Sequence, residues 1–275
     1  MSNSQPSVAG TVERVLRVIE TLAGAPEGLS LAALADELEL PRSACHRLLA
    51  DLVRCGYVRQ LRERGDYALT TKLPALGLSF LGAAGIVDIA QPIIERLAEA
   101  SGELVRLALV DGDRLTFVAK AQGARSGLKY DPDMGIDVRL SCSAGGHAWL
   151  MTLSEERATE LVVRQGFGEP KHFGPKAPTT FKALGKLLDD DRKRGFSTIV
   201  EQYAPGMTAM AAPVMRASGS TIGVITVAGP LQRLTPQRML GLGPALKAAA
   251  AELAMASATS PLMRVHGRLA TGARR

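Results

Sequence analysis

The segment Leu140-Ser141-Cys142-Ser143-Ala144-Gly145-Gly146-His147 combines residue types that could do chemistry at one place. Small residues and two hydroxyls enter a predicted helix over 144–153, so backbone N–H groups at its start could hold an anion such as a carboxylate. The same segment could instead form a hydrolase-type nucleophile, with Cys142 or Ser143 activated by a nearby base.

The nucleophile hypothesis is the weaker of the two. His147 follows Cys142 and Ser143 closely on the same predicted helix, and no Gly-x-Ser-x-Gly elbow accompanies it. The other three histidines lie in unrelated regions, and the sequence identifies no oriented acid. We therefore predict that the chain is not an enzyme and has no catalytic residue, metal site or cofactor.

Arg106 is a second candidate for anion binding. It lies in a predicted strand over 104–110 that is otherwise apolar, and a charge there needs a partner. Its guanidinium could clamp a ligand carboxylate in bidentate fashion. It could equally pair with Glu103, with Asp111 or with a dimer neighbour. Two tyrosines could supply a hydroxyl or a ring at the mouth of such a site: Tyr130 and Tyr203.

Arginines concentrate in one stretch near the N-terminus. Residues 42–64 contain six arginines and two acids, whereas residues 1–41 carry more acids than bases. Such local excess favours phosphate binding more than the formal net charge of +6 does. A solvated charged face would explain six arginines equally well if they stood alone. Because they lie in a predicted helix-turn-helix and the hairpin after it, DNA binding is the better interpretation.

Residues 29–59 predict two short helices that meet at a tight turn, followed by a glycine and a strand, as in a winged helix-turn-helix. Pro41 suits the first turn of the second helix. The outward side of that helix carries donors that we expect to read bases: Arg42, Ser43, His46 and Arg47. Arg47 has a rival role in an ion pair within the bundle. The following hairpin carries arginines expected to grip phosphates or the minor groove: Arg59, Arg62 and Arg64.

The rest of the chain predicts a second domain of α+β class with an antiparallel sheet. We expect a winged helix-turn-helix domain over 1–72, a linker helix over 73–90, this second domain over 91–257 and a basic, disordered tail over 258–275. The linker helix has apolar surface that suits a dimer, although burial within one protomer is the other interpretation. Predicted strands cover 104–110, 115–121, 196–201, 207–216 and 221–228.

Composition is consistent with two soluble domains. The 275 residues are 46% hydrophobic and 22% charged, and no apolar run reaches the length of a membrane span. The polar N-terminus lacks a signal-peptide core. Cys45 and Cys55 fall at core-like positions, and the three cysteines form no Cys-x-x-Cys, which favours buried thiols in a reducing compartment. We expect a cytoplasmic protein with no membrane partner.

The order of several short motifs resembles the IclR family of bacterial transcription regulators over roughly residues 10–257. They are Thr11-Val12-Glu13-Arg14-Val15-Leu16, His46-Arg47-Leu48-Leu49 through Gly56-Tyr57-Val58, Ser101-Gly102-Glu103, Asp111-Gly112-Asp113, Gly206 with Ala211-Ala212-Pro213, and Gly229-Pro230 before Arg233-Leu234-Thr235-Pro236. The resemblance implies a GAF-like effector domain, dimers or tetramers and a palindromic operator, and it does not imply an enzyme. A structural nucleoid protein is another DNA-binding interpretation, but it would not need a ligand domain.

The resemblance also implies an effector site, since the segment around Ser143 helps to hold the carboxylate of a small organic acid in the family. Besides Arg106, Tyr130 and Ser143, the family's positions give Val138, Leu140, Ala144, Gly145, Ile199, Met207, Ala209, Thr226 and Ala228. Members that bind very small oxo-acids tend to have an acid at 199, cysteine at 209 and serine at 228. Ile, Ala and Ala at these positions predict an acid with an aromatic or otherwise apolar body, unless they simply belong to the core.

Overall fold

The computed structural model describes residues 10–61, 65–83, 85, 89–130 and 138–257. These residues form two compact units, with the division between Phe80 and Leu81. The predicted tail over 258–275 and the hairpin arginines Arg62 and Arg64 lie outside the described residues.

The first unit is a three-helix bundle with a short hairpin. Its elements are α1 (Thr11–Ala23), α2 (Leu31–Glu37), α3 (Arg42–Arg54), β1 (Val58–Gln60) and β2 (Tyr67–Leu69). β1 and β2 pair in antiparallel fashion, with Val58 opposite Leu69. The order of these elements confirms the predicted winged helix-turn-helix.

The turn between α2 and α3 is fixed by local hydrogen bonds. The Ser30 side chain caps α2 by accepting from the Ala33 amide at 3.2 Å. Glu39 adopts a positive φ of 54°, and the next amide, Leu40, donates to the Ala35 carbonyl at 2.9 Å. Pro41 lies at the N-cap of α3, one residue earlier than predicted, where its missing N–H leaves no helix bond unmade.

The core of the first unit confirms the helical periodicity but not the placement of both N-terminal cysteines. Cys45 is fully buried beside Leu34 and Leu49. Cys55 is exposed, so the expectation of a buried thiol there was wrong. Cys55 is the C-cap of α3, one residue past the last turn, and its carbonyl accepts from Lys72 Nζ at 2.7 Å.

The helix that follows the hairpin is shorter than the predicted linker. α4 runs over Lys72–Ala83 and does not continue to residue 90. Gly85 lies in a turn with a φ of +73°, a left-handed conformation that an α-helix does not accommodate. α4 is largely apolar, yet none of its residues is buried.

The second unit is built on a five-stranded antiparallel sheet in the order β4-β3-β7-β6-β5. Its strands are β3 (Leu104–Asp111), β4 (Arg114–Gln122), β5 (Ser197–Val200), β6 (Met207–Met215) and β7 (Thr221–Pro230). Its helices are α5 (Gln91–Ser101), α6 (Ala144–Leu150), α7 (Glu155–Gln165), α8 (Phe181–Arg194) and α9 (Pro236–Ala256). The predicted α+β class with an antiparallel sheet is confirmed.

Helices cover both faces of this sheet. α5 and α9 pack on one face, where Leu97 and Leu246 meet sheet residues such as Val227. α6, α7 and α8 belong to the core on the other face, which includes Trp149 and Val224. Because both faces are covered, all ten residues of β7 are buried.

α9 is the one helix among the described residues whose length and composition would allow it to cross a membrane. Its buried side chains instead pack within the core of the second unit. These are Met239, Leu246, Ala249, Ala250 and Leu253. The helix therefore forms a layer of this fold.

A buried ion pair ties the start of β3 to the segment before α9. The Glu103 carboxylate is almost fully buried and accepts two hydrogen bonds from the Arg233 guanidinium, both at 2.8 Å. Gly229 makes room for it, because a Cβ there would lie 2.4 Å from Glu103 Oε2. The bidentate geometry offsets the cost of burying the carboxylate.

Glu103→Gln should reduce the free energy of unfolding by about 2–4 kcal/mol, because it leaves the guanidinium without its charged partner. Urea denaturation would measure this loss. Glu99→Gln is the matched control, since Glu99 pairs with Arg125 at 3.5 Å on the surface and should contribute less than about 1 kcal/mol. Equal losses for the two variants would contradict the assigned role of Glu103.

Candidate functional site

The outward face of α3 is a candidate nucleic-acid interface. Cys45, Leu48, Leu49 and Leu52 are buried on one side of the helix. Four residues at its N-terminal half are exposed on the other: Arg42, Ser43, His46 and Arg47. Arg47 forms no ion pair with other described residues, which leaves its guanidinium for an external partner. The helix thus presents donors of the kind that read base edges.

The hairpin adds a further cation to the first unit. Arg59 lies on β1 and is exposed, next to the buried Val58. Lys72 lies at the C-terminal end of α3, and its ammonium is 4.6 Å from the centre of the Tyr57 ring. Arg62 and Arg64 belong to the same predicted hairpin but lie outside the described residues.

The second unit contains a cavity, partly open to solvent, on the sheet face that carries α6. The strand register explains its floor: Ile199, Ala209 and Ala228 lie side by side on neighbouring strands. Arg106 and Thr226 form the adjacent cross-strand pair on the same face. This floor is apolar except for one guanidinium and one hydroxyl.

The start of α6 forms another wall of the cavity. The Ser143 hydroxyl caps this helix by accepting from the Gly146 amide at 3.0 Å, and it donates to the Arg139 carbonyl at 2.5 Å. Gly145 lies directly over β7, because a Cβ there would be 3.4 Å from side-chain carbons of Thr226 and Val224. The first turn of α6 therefore lies close over the sheet, where a methyl group at position 145 would just reach van der Waals contact.

Arg106 brings a cation into the apolar part of the cavity. Its side chain is mostly buried, and the guanidinium carbon lies 3.7 Å from the centre of the Phe117 ring. Burial raises the pKa of the Tyr130 phenol, and the nearby Arg106 guanidinium opposes this rise. Glu103, one of the partners considered for Arg106, pairs with Arg233 instead.

The structure brings eleven of the twelve predicted effector residues together around this cavity. They are Arg106, Tyr130, Val138, Ser143, Ala144, Gly145, Ile199, Met207, Ala209, Thr226 and Ala228. Leu140 is the exception, so its predicted place in the wall was wrong. It belongs to the core of α6, α7 and α8, where its backbone contacts Gly146.

The cavity also has lining residues that the predicted site did not include. Tyr203, considered only for the mouth, lines it together with Phe117, Arg139 and Thr208. Phe117 depends on a β-bulge, since Leu107 pairs with Ala119 while Ala108 pairs with Phe117. The extra residue reverses which side chains of β4 face the cavity, and strict alternation does not predict it. In the sequence, only its position next to the predicted site residue Val138 could have indicated that Arg139 lines the cavity.

The arrangement around His147 differs from a nucleophilic site. An acid does accompany it, contrary to expectation, because Asp191 Oδ2 lies 3.5 Å from His147 Nδ1. Yet His147 Nε2 donates to the Ser141 carbonyl at 2.8 Å, which accounts for the nitrogen that a catalytic base would use. Burial raises the pKa of the Cys142 thiol to about 11, the opposite of what activates a cysteine nucleophile.

Within the described part of the chain, no group of three His, Cys, Asp or Glu side chains is placed to hold a metal ion. The cavity is instead lined by guanidinium, hydroxyl and apolar groups. This composition is suited to binding an organic anion.

Two family models match the chain. The model described as the IclR helix-turn-helix domain matches residues 11–62, and that of the bacterial transcriptional regulator IclR C-terminal domain matches residues 78–255. Among solved structures, an IclR transcriptional regulator from Alicyclobacillus acidocaldarius has a TM-score of 0.78 at 20% identity, covering 90% of this chain and 99% of that one. An IclR homologue from Microbacterium hydrocarbonoxydans, complexed with 4-hydroxybenzoate, has a TM-score of 0.76 at 21% identity, covering 91% of this chain and all of that one.

Curated relatives are similar over nearly the whole chain. The transcriptional repressor IclR of Escherichia coli K12 is 30% identical over 247 residues, covering 90% of this chain and 89% of the relative. The acetate operon repressor of Salmonella typhimurium is 31% identical over 253 residues, covering 90% and 91%. These relatives are repressors and not enzymes. The chain belongs to the IclR family of bacterial transcriptional regulators.

Proposed function

We propose that this regulator acts in the cytoplasm, binds a palindromic operator as a dimer or tetramer, and responds to a small carboxylic acid with an aromatic or otherwise apolar body. Arg42, Ser43, His46 and Arg47 would contact bases, and the hairpin arginines would contact phosphates: Arg59, Arg62 and Arg64. The effector would occupy the cavity of the second unit. Operator affinity and effector affinity would then be linked by about 1–3 kcal/mol, as is typical of allosteric coupling.

The position of Arg106 carries the effector assignment. Its guanidinium is in the wall of a cavity whose floor is made of Ile199, Ala209 and Ala228. A carboxylate can pair with the guanidinium, while an apolar body loses little by leaving water for this floor. A small, fully polar oxo-acid would find few polar partners on that floor. The bound 4-hydroxybenzoate in the related structure is an acid of the proposed kind.

The exposed apolar surface of α4 supports assembly with a second copy. Three of its large side chains are at least half exposed: Leu76, Leu78 and Phe80. A helix that is apolar on several sides and buries none of its residues has a hydrophobic surface for a partner to cover. A second copy is the partner that a palindromic operator requires, since its two half-sites need two recognition helices.

Two measurements together test the proposal. Footprinting on the DNA that flanks its own gene should show a protected two-fold symmetric site, and adding the effector should change the affinity for that site. Thermal-shift screening should show stabilisation by 4-hydroxybenzoate or benzoate and little by glyoxylate or pyruvate. Stabilisation by the small oxo-acids alone would overturn the proposed effector class, and salt-sensitive binding without sequence preference would overturn the operator assignment.

Arg42→Ala should weaken specific operator binding by about 1–3 kcal/mol, because it removes a bidentate base contact. Its effector affinity should be unchanged. Arg54→Ala is the control on the same helix, since Arg54 pairs with Asp51 at the far end. Fluorescence anisotropy with operator and scrambled duplexes would measure both variants. Equal weakening of effector binding by Arg42→Ala would contradict the division of roles.

Arg106→Met should weaken binding of the acid effector by roughly tenfold to a hundredfold, because it removes a charge-assisted hydrogen-bond donor and keeps much of the side-chain volume. Folding and effector-independent DNA binding should be retained. Calorimetric titration with 4-hydroxybenzoate would measure the change, with the exposed Arg125→Met as control. An unchanged dissociation constant would remove Arg106 from the site.

Leu78→Glu combined with Phe80→Glu should dissociate the oligomer, since each charge would have to be buried in an apolar interface. Sedimentation equilibrium would report the mass, and operator affinity should fall as the second recognition helix is lost. Val163→Glu is the control, because Val163 is also exposed but lies on α7. An unaltered mass would show that α4 does not form the interface.

A further inference from the structure

The C-terminal end of α7 holds the segment that precedes α6. The Gln165 side chain accepts from the Leu140 amide at 2.8 Å and donates to the Val138 carbonyl at 2.9 Å. Arg139 Nη1 in turn donates to the carbonyls of Gln165 at 3.0 Å and Gly166 at 3.3 Å. One glutamine and the carbonyls at the end of its helix therefore fix three consecutive residues.

These three residues connect directly to the cavity. Val138 and Arg139 line it. Leu140 lies against α6 so closely that a Cβ at Gly146 would be 2.4 Å from the Leu140 carbonyl oxygen. The Arg139 carbonyl also accepts from Ser143, which caps α6. A change in the position of this segment would therefore move the cavity wall.

The Arg139 guanidinium is held by a ring as well as by carbonyls. It lies 5.5 Å from the centre of the Phe173 ring, and Phe173 is 6.2 Å from the Tyr203 ring, which lines the cavity. Gly168 packs against Phe173, since a Cβ there would lie 2.5 Å from a ring carbon. The backbone bond from the Gly174 amide to the Gln202 carbonyl, 3.0 Å long, ties the Phe173 loop to the loop of Tyr203.

We propose that Gln165 is a positioning residue of the effector site: by fixing residues 138–140 it orients Arg139 as a second cation of the cavity lining in addition to Arg106, so that the site favours an anion over its neutral analogue. Gln165 does not line the cavity and acts through Arg139. A guanidinium already held by two carbonyls and a ring loses little conformational entropy when a carboxylate arrives. The inference rests on the proposed function, since it assumes an acid effector in this cavity.

The test compares an acid with its amide in single and double variants. Gln165→Met removes both side-chain hydrogen bonds at nearly constant volume, and it should weaken 4-hydroxybenzoate about tenfold but 4-hydroxybenzamide less than about twofold. In an Arg139→Met background the same substitution should cause almost no further loss, because its effect runs through Arg139. Equal weakening of acid and amide, or full additivity with Arg139→Met, would overturn the proposal.

Gln91→Met is the matched control, because the Gln91 side chain also makes two hydrogen bonds but lies at the start of α5. It should leave the affinities for acid and amide unchanged. If Gln91→Met changed the ratio of these two affinities as much as Gln165→Met does, this would count against the proposal. Hydrogen exchange at the Leu140 amide needs no ligand, and Gln165→Met should speed it by at least about tenfold. Unchanged exchange would show that the Gln165 side chain does not hold residues 138–140, and it would overturn the proposal. If the wild-type protein bound neither compound while the variant still showed faster Leu140 exchange, the proposed effector class would be overturned. The role of Gln165 in holding residues 138–140 would be supported.

Discussion

The cavity of the second unit depends on how residues 138–140 pack against the start of α6, and Gly146 permits this packing. A Cβ at Gly146 would lie 2.4 Å from the Leu140 carbonyl oxygen. Because this contact is with the backbone, a larger residue at position 146 could be accommodated only by moving the segment or the helix. At Gly145 a Cβ would lie 3.4 Å from side-chain carbons of Thr226 and Val224, which is an ordinary van der Waals contact over the cavity floor. Both the segment and the start of α6 line the cavity, so this packing positions one of its walls.

Much of the fold could be predicted from the sequence, because the periodicity of the apolar residues is strong. The buried stripe of α3 leaves Arg42 and Arg47 on the outward side. The residues of the cavity floor, such as Ile199 and Ala209, were predicted instead from the resemblance to the family. Two differences from the prediction arose where the backbone departs from regular periods. The bulge at Val118 turns Phe117 toward the cavity, and the left-handed Gly85 follows the end of α4. Contacts distant in sequence, such as Asp191 with His147, leave no mark in a local pattern.

The arginines show why residue type alone does not give a role. Arg42 and Arg47 are solvent-exposed on α3, where their guanidinium groups would contact DNA in the proposed function. Arg233 is committed to Glu103 and holds the fold. Arg106 and Arg139 line the cavity, and their guanidinium groups lie over the rings of Phe117 and Phe173 respectively. In the proposed function these two cations would face the carboxylate of the effector.

The serine, histidine and aspartate side chains around α6 are of the types found in catalytic triads, but here they hold the helix in place. His147 bonds to the Ser141 carbonyl ahead of the helix and faces Asp191 of α8, which also accepts from Arg194 at 3.0 Å. Ser197 of β5 donates to the carbonyl of Ala144, the first residue of α6, at 2.7 Å. The helix is thus held from the sheet, from α8 and from its own N-terminal segment. The start of α6, which lines the cavity, is therefore fixed by contacts on three sides.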